Sequence, residues 1–133
     1  MRAVSHAQGG FRHVIDVGTH RLLADEPASK GGAGAGPTPE ELLAASLVSC
    51  TAITMQLYAQ RKGWNLDDLT VEVEFHPAER GTPTQFDMVL GLPDDLTPEQ
   101  VGKLKVIAAK CPIHRTLEGE AMFTERVELR ART

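Results

Sequence analysis

Two cysteines are the residues of this chain best suited to chemistry, and the second of them has basic neighbours. Cys111 lies in the run KCPIHR, residues 110–115, beside a lysine, a histidine and an arginine. Proline is favoured at the first position of a helix, so Pro112 predicts a short helix with Cys111 as its N-cap. Unpaired N–H groups and the helix dipole favour a thiolate there. The local sequence leaves open whether Cys111 is a reactive thiolate or an inert buried cysteine.

The first cysteine, Cys50, has no activating neighbour in the sequence. Residues 42–60 contain no Asp, Glu, Lys or Arg. A core-filling role is the default for Cys50, unless charged groups approach it from elsewhere in the fold. Glu40 lies ten residues earlier, which is roughly 15 Å along a straight helix. Glu40 can therefore share a site with Cys50 only if it comes from a second copy of the chain.

A metal site is the rival interpretation of the same residues. Cys111 and His114 stand three residues apart, so both can face one cation, and Cys50 can join them. A fourth ligand is not evident, because the other histidines have no ligand spacing. A serine or cysteine hydrolase is disfavoured, since the chain has no G-x-S-x-G elbow and no third group to orient His114. We expect no metal, with metal binding as the alternative.

A β-hairpin and a Gly-rich loop are predicted near the N-terminal end. The runs FRHVIDV, 11–17, and HRLLA, 20–24, predict two strands joined by a turn at Gly18. Segment 25–36 is rich in glycine and alanine but lacks the Gly-Lys-Ser/Thr ending of a phosphate loop. We predict that this segment is a mobile connection.

A long apolar helix follows. Thr38 and Glu41 form a predicted capping box, with proline between them at the first helical position. The helix is predicted to run to Lys62 and to end at Gly63. Its apolar residues lie on almost every face, and one chain of 133 residues has difficulty covering such a helix. This indicates a second subunit.

The rest of the chain alternates strands with shorter helices, which indicates an α+β fold in a single domain, 1–133. Alternating apolar residues predict the strands, a second capping box beginning at Thr97 opens a helix, and Pro112 interrupts it. The predicted elements are strands at 69–76 and 84–92, a helix to about residue 110, a short helix at 112–118 and a last strand at 122–130.

Composition excludes several partner classes. The formal charge is -4 and the sequence pI is about 5.7, with no basic tract, so nucleic acid is not an expected partner. The uncharged segment 42–60 could nearly span a bilayer, but Ser, Thr and Gln interrupt it, which fits a buried helix better. The first ten residues lack the apolar core of a secretory signal. We therefore expect no membrane association and a cytoplasmic protein.

Two motifs together resemble those of the OsmC/Ohr family, the osmotically inducible and organic hydroperoxide resistance proteins. The first is GPTPEELLAASLVSC, 36–50, and the second is KCPIHRTLEGE, 110–120. The family signature is a Pro-Glu-Glu/Gln-Leu motif near the start of a long central helix, a cysteine ten residues after the glutamate, and a second cysteine followed by proline. The CPIHRTLEGE form is most similar to the small, less characterised OsmC-like members.

The resemblance implies an OsmC-like fold, with antiparallel sheets packed around a long buried central helix in an intertwined homodimer. It implies a cysteine-based peroxidase that reduces organic hydroperoxides without a bound cofactor. Cys50 would attack the peroxide and Cys111 would resolve the sulfenic acid as a disulfide. A dithiol of the dihydrolipoamide type would then reduce the disulfide. Glu40 would be the active-site carboxylate from the partner subunit.

The resemblance also implies an arginine paired with that glutamate, to stabilise the thiolate of the first cysteine. Arg12 is the first candidate, because it follows a Gly-Gly pair as in one branch of the family, and Arg21 and Lys30 are alternatives. The other class of function left open is a non-catalytic dimer that binds a small apolar or thiol-containing ligand. The residues expected to line an apolar substrate pocket, which are equally ordinary core residues, are Leu43, Leu47, Met55 and Phe123.

Overall fold

The computed structural model describes residues 1–132 and has a mixed helix and sheet architecture, as predicted. Its two sheets are antiparallel, one with three strands in the order β1-β2-β3 and one with the strands β4-β5. The strands are β1 (Ala3–Ala7), β2 (His13–Val17), β3 (His20–Ala24), β4 (Thr70–His76) and β5 (Gln85–Gly91), and the helices are α1 (Pro39–Lys62), α2 (Pro98–Ala108) and α3 (Pro112–Glu118).

The N-terminal sheet contains the predicted hairpin and one strand that was not predicted. Gly18 has φ 59 in the turn between β2 and β3, a conformation that favours glycine. β1 pairs with β2 from Ala3 opposite Val17 to Ala7 opposite His13. Its sequence, AVSHA, has little strand propensity, so only this pairing defines it. Within residues 1–132, the sheet makes no substantial packing contact with a helix or with the second sheet.

The Gly-rich segment 25–36 is folded around one carboxylate, where the sequence predicted a mobile connection. Asp25 is only 2% exposed. Its side chain accepts hydrogen bonds from the backbone N–H groups of Glu26 at 2.7 Å, Ala33 at 3.3 Å and Ala35 at 3.1 Å. A short 3-10 helix, Ala28–Lys30, fills the middle of the segment. The prediction failed because these hydrogen bonds join residues up to ten positions apart.

The long helix α1 has the predicted ends. Thr38 and Glu41 form the capping box, and Gly63 ends the helix with φ 75. The helix packs against β4, α2 and α3. By length and composition alone α1 could cross a membrane, a test that the core helix of a soluble protein also passes. Its buried side chains recur every four residues along one stripe, namely Leu47, Thr51, Met55 and Ala59.

The core lies where α1, α2 and the second sheet meet. β4 and β5 pair so that Val73 opposes Met88 and Phe75 opposes Phe86. These residues alternate with exposed ones, so one sheet face packs inward, as predicted. Leu104 on α2 is fully buried. The buried cluster contains Met55, Ala59, Leu66, Leu104 and Ala108.

The predicted strand over 122–130 is not formed. Residues 120–132 have no regular secondary structure. Phe123 is 84% exposed, and Val127 and Leu129 are exposed as well. A strand requires a neighbour for its backbone hydrogen bonds, and neither sheet of this chain pairs with the segment. The apolar pattern is present, but a single chain gives it nothing to pack against.

Candidate active site

Cys111 occupies the predicted helix-capping position. It precedes Pro112, the first residue of α3, and its Sγ accepts a hydrogen bond from the backbone N–H of His114 at 3.3 Å. The side chain is fully buried. The break between α2 and α3 follows from Pro112, which lacks the N–H that would continue a helix. Cys111 is therefore a cap whose sulfur is held inside the protein.

The Cys50 thiol lies against Cys111, where α1 packs on α3, and its ionisation is disfavoured there. Burial and the hydrogen bond with Cys111 raise the pKa of Cys50. The Ile113 N–H and the Thr54 hydroxyl act in the opposite direction and only partly offset these effects. A buried thiol facing a second sulfur is harder to ionise, because its negative charge loses hydration and is repelled by the other thiolate.

The pKa of Cys111 is lowered, although burial alone raises it. Hydrogen bonds from the Cys50 thiol and from the backbone N–H of His114 outweigh the effect of burial. The nearby Thr51 hydroxyl adds to this lowering. In the described part of the chain, Thr51 Oγ1 has no hydrogen-bond partner of normal geometry, so its contact with Cys111 is looser than a regular hydrogen bond.

The two cysteines form a reduced dithiol whose members differ in burial and in pKa. Both cysteines are free thiols; Cys50 is half-buried and Cys111 is buried. The pKa directions indicate that Cys111 ionises first within one chain, with Cys50 as the hydrogen-bond donor. The chemistry assigned to Cys50 requires a low pKa, yet its pKa is raised, and none of the principal influences on it is a basic side chain.

A single chain does not bring Glu40 or its expected partner Arg12 to Cys50. Glu40 is exposed in the first turn of α1, roughly 15 Å from Cys50 along the helix axis. Arg12 is exposed just before β2, and its charge helps to lower the pKa of Asp25.

The two alternative cations are also remote from the dithiol. Arg21 on β3 donates to the Asp16 carboxylate at 2.9 Å. Lys30 is exposed in the short 3-10 helix of the Gly-rich segment. Neither side chain is among the principal influences on the pKa of Cys50.

An apolar groove of about 470 Å³ lies between α1, α3 and the second sheet. Of the four residues expected to line a pocket, Leu43 and Leu47 do so. Met55 lies in the buried core cluster, and Phe123 is exposed in the C-terminal segment, so neither lines this groove. The apolar wall consists of Leu43, Leu47, Phe75, Phe86, Met88 and Leu117, and the polar residues are Thr84, His114 and Glu118.

The family of the chain is decided by its sequence match. Residues 31–126, which include both cysteines, match the family model described as OsmC-like protein. The chain belongs to the OsmC-like protein family. This agrees with the resemblance carried by the two cysteine motifs.

Solved structures share the fold of this OsmC-like chain at low sequence identity. An OsmC-like protein from Mycoplasma pneumoniae is 15% identical, with a TM-score of 0.74, over 89% of this chain and 86% of that chain. The organic hydroperoxide resistance protein OhrB of Bacillus subtilis is 24% identical, with a TM-score of 0.59, over 90% and 92%. A protein assigned to organic hydroperoxide resistance from Vibrio cholerae is 20% identical, with a TM-score of 0.65, over 90% and 85%.

No curated protein sequence matches this OsmC-like chain significantly. The family and the fold are shown by these matches, while the activity depends on the chemistry of the site itself.

The groove contains one polar pair that the sequence analysis missed. His114 Nε2 and Glu118 Oε1 are 2.6 Å apart, one helical turn from each other on α3. Their i, i+4 spacing was a signal that could have found the pair. The alternative of a metal site makes His114 a ligand with both cysteines, but its imidazole is paired with Glu118. Over residues 1–132, no group of three or more His, Cys, Asp or Glu side chains is placed to hold a metal ion.

Proposed function

We propose that this OsmC-like protein is a thiol-dependent peroxidase that reduces organic hydroperoxides. The observation that carries the proposal is the reduced pair of Cys50 and Cys111, one thiol half-buried and the other fully buried. A peroxide reaches the half-buried sulfur more easily, so Cys50 is the attacking thiol. Cys111, whose pKa is lowered beside it, is ready to attack in its turn.

Reduction of the hydroperoxide proceeds in three steps. The Cys50 thiolate attacks the terminal hydroxyl oxygen of the hydroperoxide, the O–O bond breaks, and the departing alkoxide takes up a proton and leaves as an alcohol. Cys50 is then a sulfenic acid. The Cys111 thiolate attacks the Cys50 sulfur, the S–O bond breaks, and hydroxide takes up a proton and leaves as water. An external dithiol of the dihydrolipoamide type reduces the disulfide through a mixed disulfide and is itself oxidised.

The proposed active unit is an intertwined homodimer located in the cytoplasm. Each chain forms a single domain, 1–133. Within residues 1–132, the N-terminal sheet makes no substantial packing contact with a helix. On α1, Ile53 is 56% exposed and Leu57 is 50% exposed. Apolar surface of this extent is typical of an interface. A second copy would cover it and would offer the 122–130 segment a neighbouring strand.

The dimer would also supply the charges that Cys50 lacks within one chain. Glu40 and Arg12 are exposed, and a second copy could bring them to the dithiol. An arginine near Cys50 would lower the pKa of that thiol and so offset the effects of burial and of Cys111. Arg12 is favoured over Arg21, because Arg21 is already paired with Asp16.

The association can be tested with Leu57→Glu, which places a charge on the exposed apolar face of α1. We expect the wild type to be a dimer in multi-angle light scattering and Leu57→Glu to shift it toward the monomer. Glu99→Gln, on the exposed first turn of α2, is the matched surface control. A monomeric wild type at the concentrations used for activity would exclude this part of the proposal.

The peroxidase activity is tested by counting thiols. The reduced protein is treated with one equivalent of tert-butyl hydroperoxide, and free thiols are titrated. We expect the loss of two thiols per chain, no loss in Cys50→Ser, and a sulfenic acid trapped by dimedone in Cys111→Ser. Turnover is then measured with dihydrolipoamide and with a monothiol. An unchanged thiol count after prolonged exposure would falsify the proposed function.

The second candidate function is a non-catalytic dimer that binds a small apolar or thiol-containing ligand. The related Vibrio cholerae protein has captopril, a thiol-containing molecule, bound in one of its active sites. If this function is correct, calorimetry will detect captopril binding to the reduced protein, while the thiol count after peroxide treatment stays constant.

A further inference from the structure

We propose that Glu118 determines substrate specificity, and that the groove accepts uncharged organic hydroperoxides in preference to those carrying a free carboxylate. The inference rests on the proposed function and names the class of substrate for the same site. It is carried by the composition of the groove and by the position of the His114–Glu118 pair within it.

The groove lies next to the dithiol. His114 lines the groove, and its backbone N–H donates to the Cys111 sulfur. On α1, Leu47 lines the groove one helical turn before Cys50. Neither cysteine is among the residues that line the groove, so His114 is the residue that joins the groove to the dithiol. The volume of about 470 Å³ is within the usual range for a small-molecule pocket.

The walls select for an apolar chain. Phe75 and Phe86 face one another with ring centroids 5.2 Å apart, and Leu43 and Met88 extend the same surface. Burying a hydrocarbon chain against this surface is favoured, because it removes apolar surface from water. Thr84 offers a neutral hydroxyl to an ester, alcohol or hydroperoxide group.

The charges in the groove disfavour an anion. Among the described residues, no lysine or arginine lines it, and Glu118 is the acidic residue there. A substrate carboxylate can reach Nε2 of the His114 imidazole only by displacing Glu118, because His114 Nε2 and Glu118 Oε1 are already paired at 2.6 Å. Glu118 is held on the same helix and so competes at a high effective concentration. The displaced carboxylate would then repel the substrate at short range.

The test compares the hydroperoxide of linoleic acid with the hydroperoxide of its methyl ester, which share one chain and differ in charge. We expect the wild type to favour the ester in kcat/KM by about three- to tenfold. In Glu118→Gln the preference should disappear or reverse, because His114 becomes free to receive the carboxylate. Raising the salt concentration should narrow the preference in the wild type and have less effect in the variant.

Glu120→Gln is the matched control, because it removes the same charge two residues away and outside the groove. It should keep the wild-type preference. Equal use of both substrates by the wild type, or an equal change in both variants, would overturn the assignment of Glu118.

A failure of the proposed function is distinguishable from a failure of this inference. If the wild type consumes neither hydroperoxide, the peroxidase proposal fails. The groove is then tested by displacement of a bound fluorescent apolar probe with methyl linoleate and with linoleate. Stronger displacement by the ester, lost in Glu118→Gln, supports the preference, and stronger displacement by linoleate overturns it.

Discussion

The Cys50 thiol lies beside the Cys111 sulfur where α1 packs on α3, so the ionisation of each depends on the other. The contact raises the pKa of Cys50 and lowers the pKa of Cys111. The two sulfurs thus act as one dithiol, in which the buried member carries the first negative charge. A peroxidase of this geometry needs a second influence to activate Cys50.

The first prediction separates the two thiols. In Cys50→Ala the pKa of Cys111 should rise, because the thiol that donates to its thiolate is gone. In Cys111→Ala the pKa of Cys50 should fall, because both effects of Cys111 on it raise that pKa. The ultraviolet absorbance of the thiolate, followed across a pH titration of each variant, measures both values. A lower pKa of Cys111 in Cys50→Ala would contradict the assigned direction of the hydrogen bond.

The second prediction concerns the threonine hydroxyls beside the sulfurs. Thr51→Val should raise the pKa of Cys111, since the Thr51 hydroxyl lowers it. Among residues 1–132, Thr51 Oγ1 is buried without a regular hydrogen-bond partner, and such a group costs about 1–3 kcal/mol of desolvation. The variant should therefore keep its stability or gain up to about 1 kcal/mol.

Thr54→Val is the matched control for this pair. The Thr54 hydroxyl lowers the pKa of Cys50, so its removal should raise the pKa of Cys50 and leave the direct contacts of Cys111 unchanged. Thiolate titration and urea unfolding are measured on both variants. If the pKa of Cys111 is the same in Thr51→Val as in the wild type, the Thr51 hydroxyl has no role in the ionisation of Cys111.

The sequence predicted those parts of the fold that depend on near neighbours. The capping box of Thr38 with Glu41 joins residues three positions apart, and Gly63 acts through its own backbone conformation. The capping position of Cys111 depends on the adjacent Pro112. In each case the physical cause and its effect lie within one helical turn, so a short window of sequence contains both.

Parts that depend on distant neighbours could not be predicted in this way. The strand β1 is stabilised by its pairing with β2. The Gly-rich segment folds because the Asp25 carboxylate accepts hydrogen bonds from backbone N–H groups up to ten residues away. The pKa of Cys50 depends on burial and on Cys111. The adjacency of the two cysteines was available only from the family resemblance, because no local pattern relates them.

The third prediction tests the fold of the Gly-rich segment at Gly32. A Cβ at this position would collide with the backbone carbonyl of Glu26 and crowd the Asp25 carboxylate. Because a carbonyl of the backbone cannot move aside as a flexible side chain can, Gly32→Ala should destabilise the protein by about 1–3 kcal/mol. Urea unfolding followed by circular dichroism measures the change.

Gly102→Ala is the control for Gly32→Ala. Gly102 lies inside α2, and a Cβ there meets no atom within 4 Å. Alanine is the better helix former, so this variant should gain about 0.5–1 kcal/mol. If Gly32→Ala and Gly102→Ala both change the free energy of unfolding by the same small amount, the segment around Asp25 accommodates the added Cβ without strain.

The last prediction concerns the dependence of stability on pH through Asp25. Hydrogen bonds from the N–H groups of Ala35, Glu26 and Ala33, together with the charge of Arg12, lower the pKa of Asp25 below its ordinary value of 3.8, although burial acts against them. A carboxyl whose pKa is lower in the folded state stabilises that state fully above the unfolded pKa. This stabilisation is lost as the pH falls through the folded pKa.

Asp25→Asn should therefore be less stable than the wild type at neutral pH. In the variant an NH₂ group replaces one of the two accepting oxygens and faces backbone N–H groups, which are also donors. The difference in the free energy of unfolding should stay constant down to about pH 5 and then narrow below about pH 4, as the wild-type carboxyl becomes protonated. Urea unfolding of both proteins across this range isolates the contribution of Asp25 to stability, since the other carboxyls titrate alike in both.

Asp16→Asn is the control for Asp25→Asn. The pKa of Asp16 is lowered chiefly by its hydrogen bond with Arg21, and such an exposed pair contributes little to stability. A difference between wild type and Asp25→Asn that stays constant to the lowest pH at which both remain folded would mean that the charge of Asp25 does not hold the segment together.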